Sequence, residues 1–287
     1  IAKIQIEHGA VGICCAKLGE AEVMAAAGIK DILITSPVVG LSKLTRLMQI
    51  AGQAQVAVVV DNETNIAEMA ICAQSSGVRC GVIIEIDVGQ HRCGVQPGEP
   101  ALALALAILN EEWLELRGLQ GYQRSIQMTA SFDDRKAAAD AALKLLTDSA
   151  KLIRDAGVQV AVLTGGGSGT SIIDAASGGL TELQPGGYLF MDSRYRSVDW
   201  DDGSKIPFEQ SLSLLTSVIS LPAPDRAILD MGLKAVSSDG GPPVPVDLPG
   251  AIFRFGGEEH GELVWENGTC PLALGQKVMF WPSHCDT

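Results

Sequence analysis

Along its first two thirds the chain keeps a regular beat, in which a short apolar, β-branched run is followed by an Ala-rich amphipathic stretch. The runs AVGICCA (10–16), DILITS (31–36), QVAVVVD (55–61), CGVIIEID (80–87), LELRGLQGY (114–122) and VAVLTG (160–165) read as strands, with a last one within GGYLFMD (186–192). Between them GEAEVMAAAG, LSKLTRLMQIAG, NETNIAEMAICAQSSG, EPALALALAILNEE and DDRKAAADAALKLLTDSAKLIRDAG carry helical patterns, the last opened by acidic residues that complement the helix dipole. This alternation is what a parallel sheet wrapped by helices requires. Seven βα beats are one short of a closed eight-stranded barrel. The expected fold is therefore a (β/α)₈ TIM barrel whose first strand is missing, with an open doubly wound sheet as the alternative.

After about residue 195 the texture changes. Pro and Gly punctuate alternating strands in PDRAILDMGLKAVSSDGGPPVPVDLPG, AIFRFGGEEHGELVWENG and GQKVMFWPSHCD, which reads as a separate, mainly antiparallel β domain. The expected division is residues 1–195 for the barrel and 196–287 for the β domain.

A chain of 287 residues that is 47% hydrophobic has enough apolar material for a real core. Its net charge of −13 argues against nucleic acid and anionic membranes as partners, since both demand clustered Lys and Arg, and favours a small-molecule substrate. Seven cysteines, an odd number without a C-x-x-C pair, suit a reducing cytoplasm. No segment has the length and apolarity of a membrane span, and the start IAKIQIEHGAVG lacks the layout of a signal peptide. The first residue is Ile, so a processed chain or a fragment is expected.

In a barrel the reactive groups lie on the loops that follow the strands. After VAVLTG come Gly165, Gly166, Gly167, Ser168, Gly169 and Thr170, leading into the helical SIIDAAS. Consecutive glycines let backbone N–H groups converge on an anion, and Thr164, Ser168 or Thr170 can add hydroxyls; the alternative is a plain turn. The loop EIDVGQHRCGV (85–95) presents Arg92, suited either to a bidentate contact with a ligand carboxylate or to an ion pair with Glu85 or Asp87. Tyr122 ends the next strand, where it either meets a cofactor or packs. At the chain end, His284 and Asp286 stand two apart in WPSHCDT. On an extended segment they point the same way and can share one metal ion, with Cys285 facing away.

The segments GAVGICCAKLGEAEVMAAAG, EIDVGQHRCGV, GLQGYQ, TGGGSGT, ASGGLTELQPGGYLFMD, DMGLKAVSSDGGPP and PSHCD, in this order, resemble the D-threonine aldolase family. That family includes 3-hydroxy-D-aspartate aldolases. It is similar to the eukaryotic D-serine dehydratases, all of the alanine-racemase-like fold type of pyridoxal-phosphate enzymes. The resemblance implies a pyridoxal 5'-phosphate barrel in which the TGGGSGT loop and backbone near Gly186 and Gly187 hold the phosphate. It also implies that Gln184 lies near the pyridine nitrogen, where racemases carry Arg, leaving the ring less strongly protonated. Arg92 and Tyr122 match positions that line the cofactor pocket, and His284 and Asp286 match the ligands of a divalent metal, Mn²⁺ or Mg²⁺. D-serine dehydratases favour Cys where Asp286 stands, so the resemblance leans toward an aldolase.

One departure is large. The family's Schiff-base lysine belongs to an H-x-K-x-H-K motif just upstream of the segment that here begins IAKIQIEHGAVG, and neither Lys3 nor Lys17 replaces it. The missing strand and the missing lysine are one gap, so the chain is expected to be an inactive fragment of a homodimeric lyase that cleaves β-hydroxy-D-amino acids. β-Elimination by a D-serine or 3-hydroxy-D-aspartate dehydratase is the main alternative. An amino-acid racemase and a non-catalytic cofactor-binding protein are the others.

Overall fold

The structure, a computed structural model, describes residues 1–201, 203–266 and 268–287. It divides into two compact units, Ile1–Gln127 with Lys136–Gln184, and Met128–Arg135 with Pro185–Thr287. Among the described residues no helix is long and apolar enough to cross a membrane.

The first unit is built on seven strands, β1 (Ile13–Cys15), β2 (Asp31–Ile34), β3 (Gln55–Val60), β4 (Cys80–Glu85), β5 (Leu114–Gly121), β6 (Val162–Gly165) and β7 (Glu182–Leu183). They pair in chain order and every pair is parallel. A doubly wound sheet reverses its order at a switch point, so sequential pairing excludes that alternative. What remains is the curled sheet of a TIM-type barrel. The helices α1 (Ala2–Glu7), α2 (Leu18–Ala26), α3 (Leu41–Ala51), α4 (Glu63–Ser76), α5 (Glu99–Leu109), α6 (Phe132–Asp155) and α7 (Ser171–Ser177) alternate with the strands.

Burial follows from period 2 along the strands. Ile32, Ile34, Val56, Val58, Val60, Val82 and Ile84 join the large core with Leu47, Met69, Leu104 and Leu146 of the helices. Leu33, Ala57, Val59 and Ile83, on the opposite face, form a smaller cluster with Val162. Both faces of β3 and β4 are covered, which is why these strands read as unbroken apolar runs. Asn62 starts α4 by accepting from Thr64 N (2.9 Å) and Asn65 N (3.4 Å), and Gly77 ends it in the left-handed conformation. Asn62→Ala is expected to lower stability by about 1 kcal/mol, read from a urea midpoint.

The seventh strand corrects the sequence expectation. It is Glu182–Leu183, and Gly187–Leu189 forms a 3₁₀ turn instead. Thr181 N donates to Leu163 O (2.8 Å) and Gln184 N to Gly165 O (3.0 Å), so the ladder beside β6 is completed before Pro185, which has no N–H to continue it. The apolar residues that follow serve another purpose, since Met191 is buried with Tyr195 and Ile206.

The second unit carries six strands, β8 (Leu214–Ala223), β9 (Arg226–Leu229), β10 (Val244–Pro245), β11 (Ile252–Phe255), β12 (Gly261–Val264) and β13 (Lys277–Trp281). Their order is β10-β13-β8-β9-β12-β11, antiparallel throughout. Val218, Ala227, Leu229, Phe253, Leu263, Val278 and Phe280 form its core, where the Phe253 and Phe280 rings meet edge-on at 5.3 Å. The fully buried side chain of Arg135 donates to the carbonyls of Thr129 (2.6 Å) and Asp199 (2.5 Å), tying two loops of this unit together.

Candidate functional site

At the carboxyl ends of four neighbouring strands the inner face of the curled sheet turns polar. Register pairs Glu85 with Gln120, Gln120 with Thr164, and Thr164 with Glu182, so one level of the sheet carries four polar side chains. Gln184, just past β7, closes the row: its Nε2 donates to Gln120 Oε1 (3.0 Å) and Thr164 Oγ1 (2.8 Å). With both amide hydrogens used, Gln184 Oε1 is the end that can meet a ligand. Glu85 is buried, and its Oε2 has no hydrogen-bond partner among the described residues. Burial pushes its pKa up to about 7, against the opposing pull of the Arg92 charge and a hydrogen bond from Gln120. Burial likewise raises Glu182, which accepts from Thr164.

The glycine loop after β6 is packed from beneath. Gln127 Oε1 accepts from Gly169 N (3.1 Å) and Thr170 N (3.2 Å), and its Nε2 donates to Thr170 Oγ1 (3.0 Å). Thr170 in turn donates to Asp174 Oδ2 (2.5 Å), a carboxyl raised above its ordinary pKa chiefly by burial. A Cβ on Gly165 would strike Gly121 O, one on Gly166 (φ +67°) would strike Asp174 Oδ2, and one on Gly167 would lie 2.6 Å from Gln127 Oε1. All three glycines therefore have an internal reason to lack side chains, which the sequence reading does not foresee. The hydroxyl protons of Thr164 and Thr170 go to Glu182 and Asp174. Ser168 is buried in the same loop. In the second unit a Cβ on Gly187 would lie 2.8 Å from the Tyr195 ring, while Gly186 faces open space.

The loop after β4 is tightly tied. Asp87 accepts from Gly89 N (3.0 Å), His91 N (2.9 Å) and His91 Nδ1 (3.0 Å), and Asp61 accepts from Gly94 N (3.0 Å). Gly94 (φ +105°) permits the close return of the chain, since a Cβ there would lie 2.7 Å from Asp87 N. Arg92 is presented from this loop with its guanidinium carbon 6.0 Å from the Tyr122 ring centroid. The structure thus brings these two sequence candidates together.

In the second unit the chain end is held from two sides. Pro282 O accepts from Ser193 N (3.0 Å), and the buried Asp192 accepts from Cys285 N (3.0 Å) and Tyr195 N (2.9 Å). On the other side Ser283 Oγ donates to Gly241 O (2.7 Å). His284, almost fully buried, lies between two carboxylates: its Nδ1 is 2.6 Å from Asp239 Oδ2 and its Nε2 is 3.3 Å from Asp286 Oδ2. Asp239 is held down to about 2, first by the hydrogen bond from Ser237 and then by His284. Cys285 does not face wholly away, because its Sγ reaches Asp286 Oδ1 at 3.4 Å; burial and the Asp286 and Asp192 charges push this thiol up to about 12.

The family model described as "Alanine racemase, N-terminal domain" matches residues 1–194, and "Putative serine dehydratase domain" matches residues 211–287. The chain is 41% identical to a D-threonine aldolase of Arthrobacter sp over 100% of its own length and 75% of that protein's. The chain belongs to the D-threonine aldolase family. A 3-hydroxy-D-aspartate aldolase of Paracoccus denitrificans is 37% identical over 97% of this chain and 72% of that one. The crystal structure of the D-threonine aldolase from Filomicrobium marinum superposes with a TM-score of 0.94 at 38% identity, covering 99% of this chain and 76% of that one. The D-threo-3-hydroxyaspartate dehydratase from Delftia sp. HT23 follows at 0.85 and 25%, covering 99% and 79%.

Within this member of the D-threonine aldolase family, Glu85, Gln120, Gln127, Asp174, Asp192 and Asp239 escape the sequence reading as site residues. For Glu85 a signal exists: it is an acid at an inward position of a strand, CGVIIE, that is otherwise apolar. Asp239 gives none, because 45 residues separate it from the imidazole it meets.

Proposed function

We propose that the protein is a pyridoxal-phosphate-dependent, divalent-metal-assisted lyase that splits β-hydroxy-D-amino acids by retro-aldol cleavage. The observation that carries this reading is His284 set between Asp239 and Asp286, in a chain 41% identical to a D-threonine aldolase. The cofactor suits the first unit because Glu85 Oε2 is a buried oxygen without a partner among the described residues, in a polar row at the strand ends. Pyridoxal phosphate, when bound, supplies a sink for the electrons of the broken Cα–Cβ bond. Gln184 would lie beside the ring, and Thr164 would hold Gln184 in place. Gly165, Gly166, Gly167 and Ser168 would supply backbone and hydroxyl donors to the phosphate. Arg92 would bind an anionic group, and Tyr122 would hold or pass a proton beside it.

His284 and Asp286 fit one ion as donors. Two ligands each about 2.1 Å from a metal lie about 3 to 3.4 Å apart, and these two lie at 3.3 Å. Among the described residues no group of three or more His, Cys, Asp and Glu side chains converges in this way. A sparse shell with a hard oxygen donor suits Mn²⁺ or Mg²⁺, which would supply Lewis acidity at the substrate hydroxyl. One form of a D-threo-3-hydroxyaspartate dehydratase variant is described as metal-free, which accords with a metal in these relatives. Residues 1–195 would hold the cofactor and 196–287 the metal. The free cysteines suit the cytoplasm, and a homodimer is the proposed assembly.

In the cleavage the β-hydroxyl loses its proton, the Cα–Cβ bond breaks, and Cα gains a proton, so D-threonine gives glycine and acetaldehyde. Elimination of water would instead give an enamine, which tautomerises and takes up water to yield an oxo acid and ammonia. Asp286, where the D-serine dehydratases favour Cys, supports the first outcome. Intact protein supplied with pyridoxal phosphate, Mn²⁺ and D-threonine is expected to release aldehyde and glycine, to stop on chelation, and to resume with Mn²⁺. Oxo acid and ammonia in place of aldehyde would refute the aldolase reading.

A further inference from the structure

We propose that Asp239 is the positioning residue of the metal pair, fixing the ring and tautomer of His284 so that Nε2 is directed at the ion. This rests on the reading of His284 and Asp286 as metal ligands. A carboxylate only accepts, so its 2.6 Å contact places an imidazole proton on Nδ1 and turns Nε2 to the side of Asp286, where a bound ion would take its lone pair. Metal-bound imidazoles commonly make this contact, which orients the ring and raises its basicity.

Asp239 is itself aimed. Ser237 Oγ donates to its Oδ1 (2.7 Å) and Thr287 Oγ1 reaches the same oxygen (3.2 Å), so Oδ2 is turned to the ring. The turn that carries it closes through Gly241 N to Ser238 O (3.0 Å). It is bound to the residue before His284 by Ser283 Oγ to Gly241 O (2.7 Å). A Cβ on Gly240 would lie 2.8 Å from Ser283 O, so the close approach of the two segments depends on a glycine there. The arrangement is directional: Ser237 orients Asp239, Asp239 orients His284, and His284 faces the second donor.

The test is direct binding of Mn²⁺ to the intact protein, followed by the electron paramagnetic resonance of the free ion, without any assay of turnover. Asp239→Ala is expected to weaken binding by about 10- to 100-fold, and Asp239→Asn, which keeps an acceptor but loses the charge, by about three- to tenfold. In the metal-free protein, nitrogen NMR of labelled histidine should show Nδ1 of His284 protonated in wild type and a shift of that proton toward Nε2 in Asp239→Ala. A merely structural aspartate would leave that tautomer unchanged. Mn²⁺ affinity within about twofold of wild type in a folded Asp239→Ala protein, with His284→Ala abolishing binding, would overturn the inference alone. Unchanged binding in His284→Ala would overturn the metal reading and the inference with it. Should Asp239→Ala fail to fold, Asp239→Asn carries the test, and Mn²⁺ affinity within about twofold of wild type in that folded variant would overturn the role.

Discussion

Gly165→Ala is expected to destabilise the first unit by about 2 to 3 kcal/mol and to weaken cofactor binding more than about tenfold. Gly165 is the last residue of β6 and pairs with Gly121 of β5, where the curl of the sheet brings the two strands together. A Cβ there would strike Gly121 O, and a backbone oxygen in a ladder cannot swing aside as a side chain can. The φ of Gly165 is not positive, so the cost is steric crowding rather than left-handed strain. Relief requires the carboxyl ends of β5 and β6 to part, which carries Gln120, Thr164 and the following loop with them. Gly178→Ala is the control: its φ is +66° but a Cβ there would meet nothing within 4 Å. It should cost about 1 kcal/mol and leave cofactor affinity unchanged. Urea unfolding and pyridoxal-phosphate titration of both variants make the comparison. A Gly165→Ala protein as stable as wild type would mean that the strands part freely and that the loop is not set by this contact.

Much of the fold is legible in the sequence because parallel strands covered on both faces leave a plain trace. Val56 to Val60 and Cys80 to Glu85 read as interior strands, and the acidic start of α6 announces a helix. The seventh strand is misplaced because two residues carry too little pattern, and the longer apolar run beyond Pro185 draws the assignment to itself. The short H-x-D separation at the chain end is legible because its members are close in sequence, although β13 ends at Trp281 and the chain bends at Ser283 and Cys285 instead of running extended. Asp239 and Asp192 are not, because contacts across 45 and 93 residues are made by the tertiary fold and leave no local period. The glycines of TGGGSGT are legible as a special loop but not in their cause. Gly121, Asp174 and Gln127 occupy the space their side chains would take, and the first and last of these come from an earlier part of the chain.

Glu85→Gln is expected to make the protein more stable than wild type near neutral pH, with little difference in mild acid. In the native chain burial lifts this carboxyl from 4.5 to about 7, whereas in the unfolded chain it titrates at its ordinary value. Between those two values the native protein keeps a proton that the unfolded chain has released. Wild-type stability therefore falls as pH rises from about 4.5 to about 7 and levels off above, with a total loss on the order of 3 kcal/mol at about 1.4 kcal/mol per pH unit. Glutamine has no such titration and can still accept from Gln120. The difference between variant and wild type should thus be smallest below about pH 4.5 and reach its plateau above about pH 7, other groups cancelling in the subtraction. Urea midpoints across that range measure it, and a difference that does not change with pH would show that Glu85 titrates alike in the folded and unfolded chains. The expected stabilisation bears on the proposed function, because a buried acid that costs stability near neutrality has no structural justification in this row. Gln120 and Gln184 would hold each other equally well beside a neutral amide. On the proposed reading the orphaned Oε2 would meet the cofactor, so the more stable Glu85→Gln protein should bind pyridoxal phosphate less tightly.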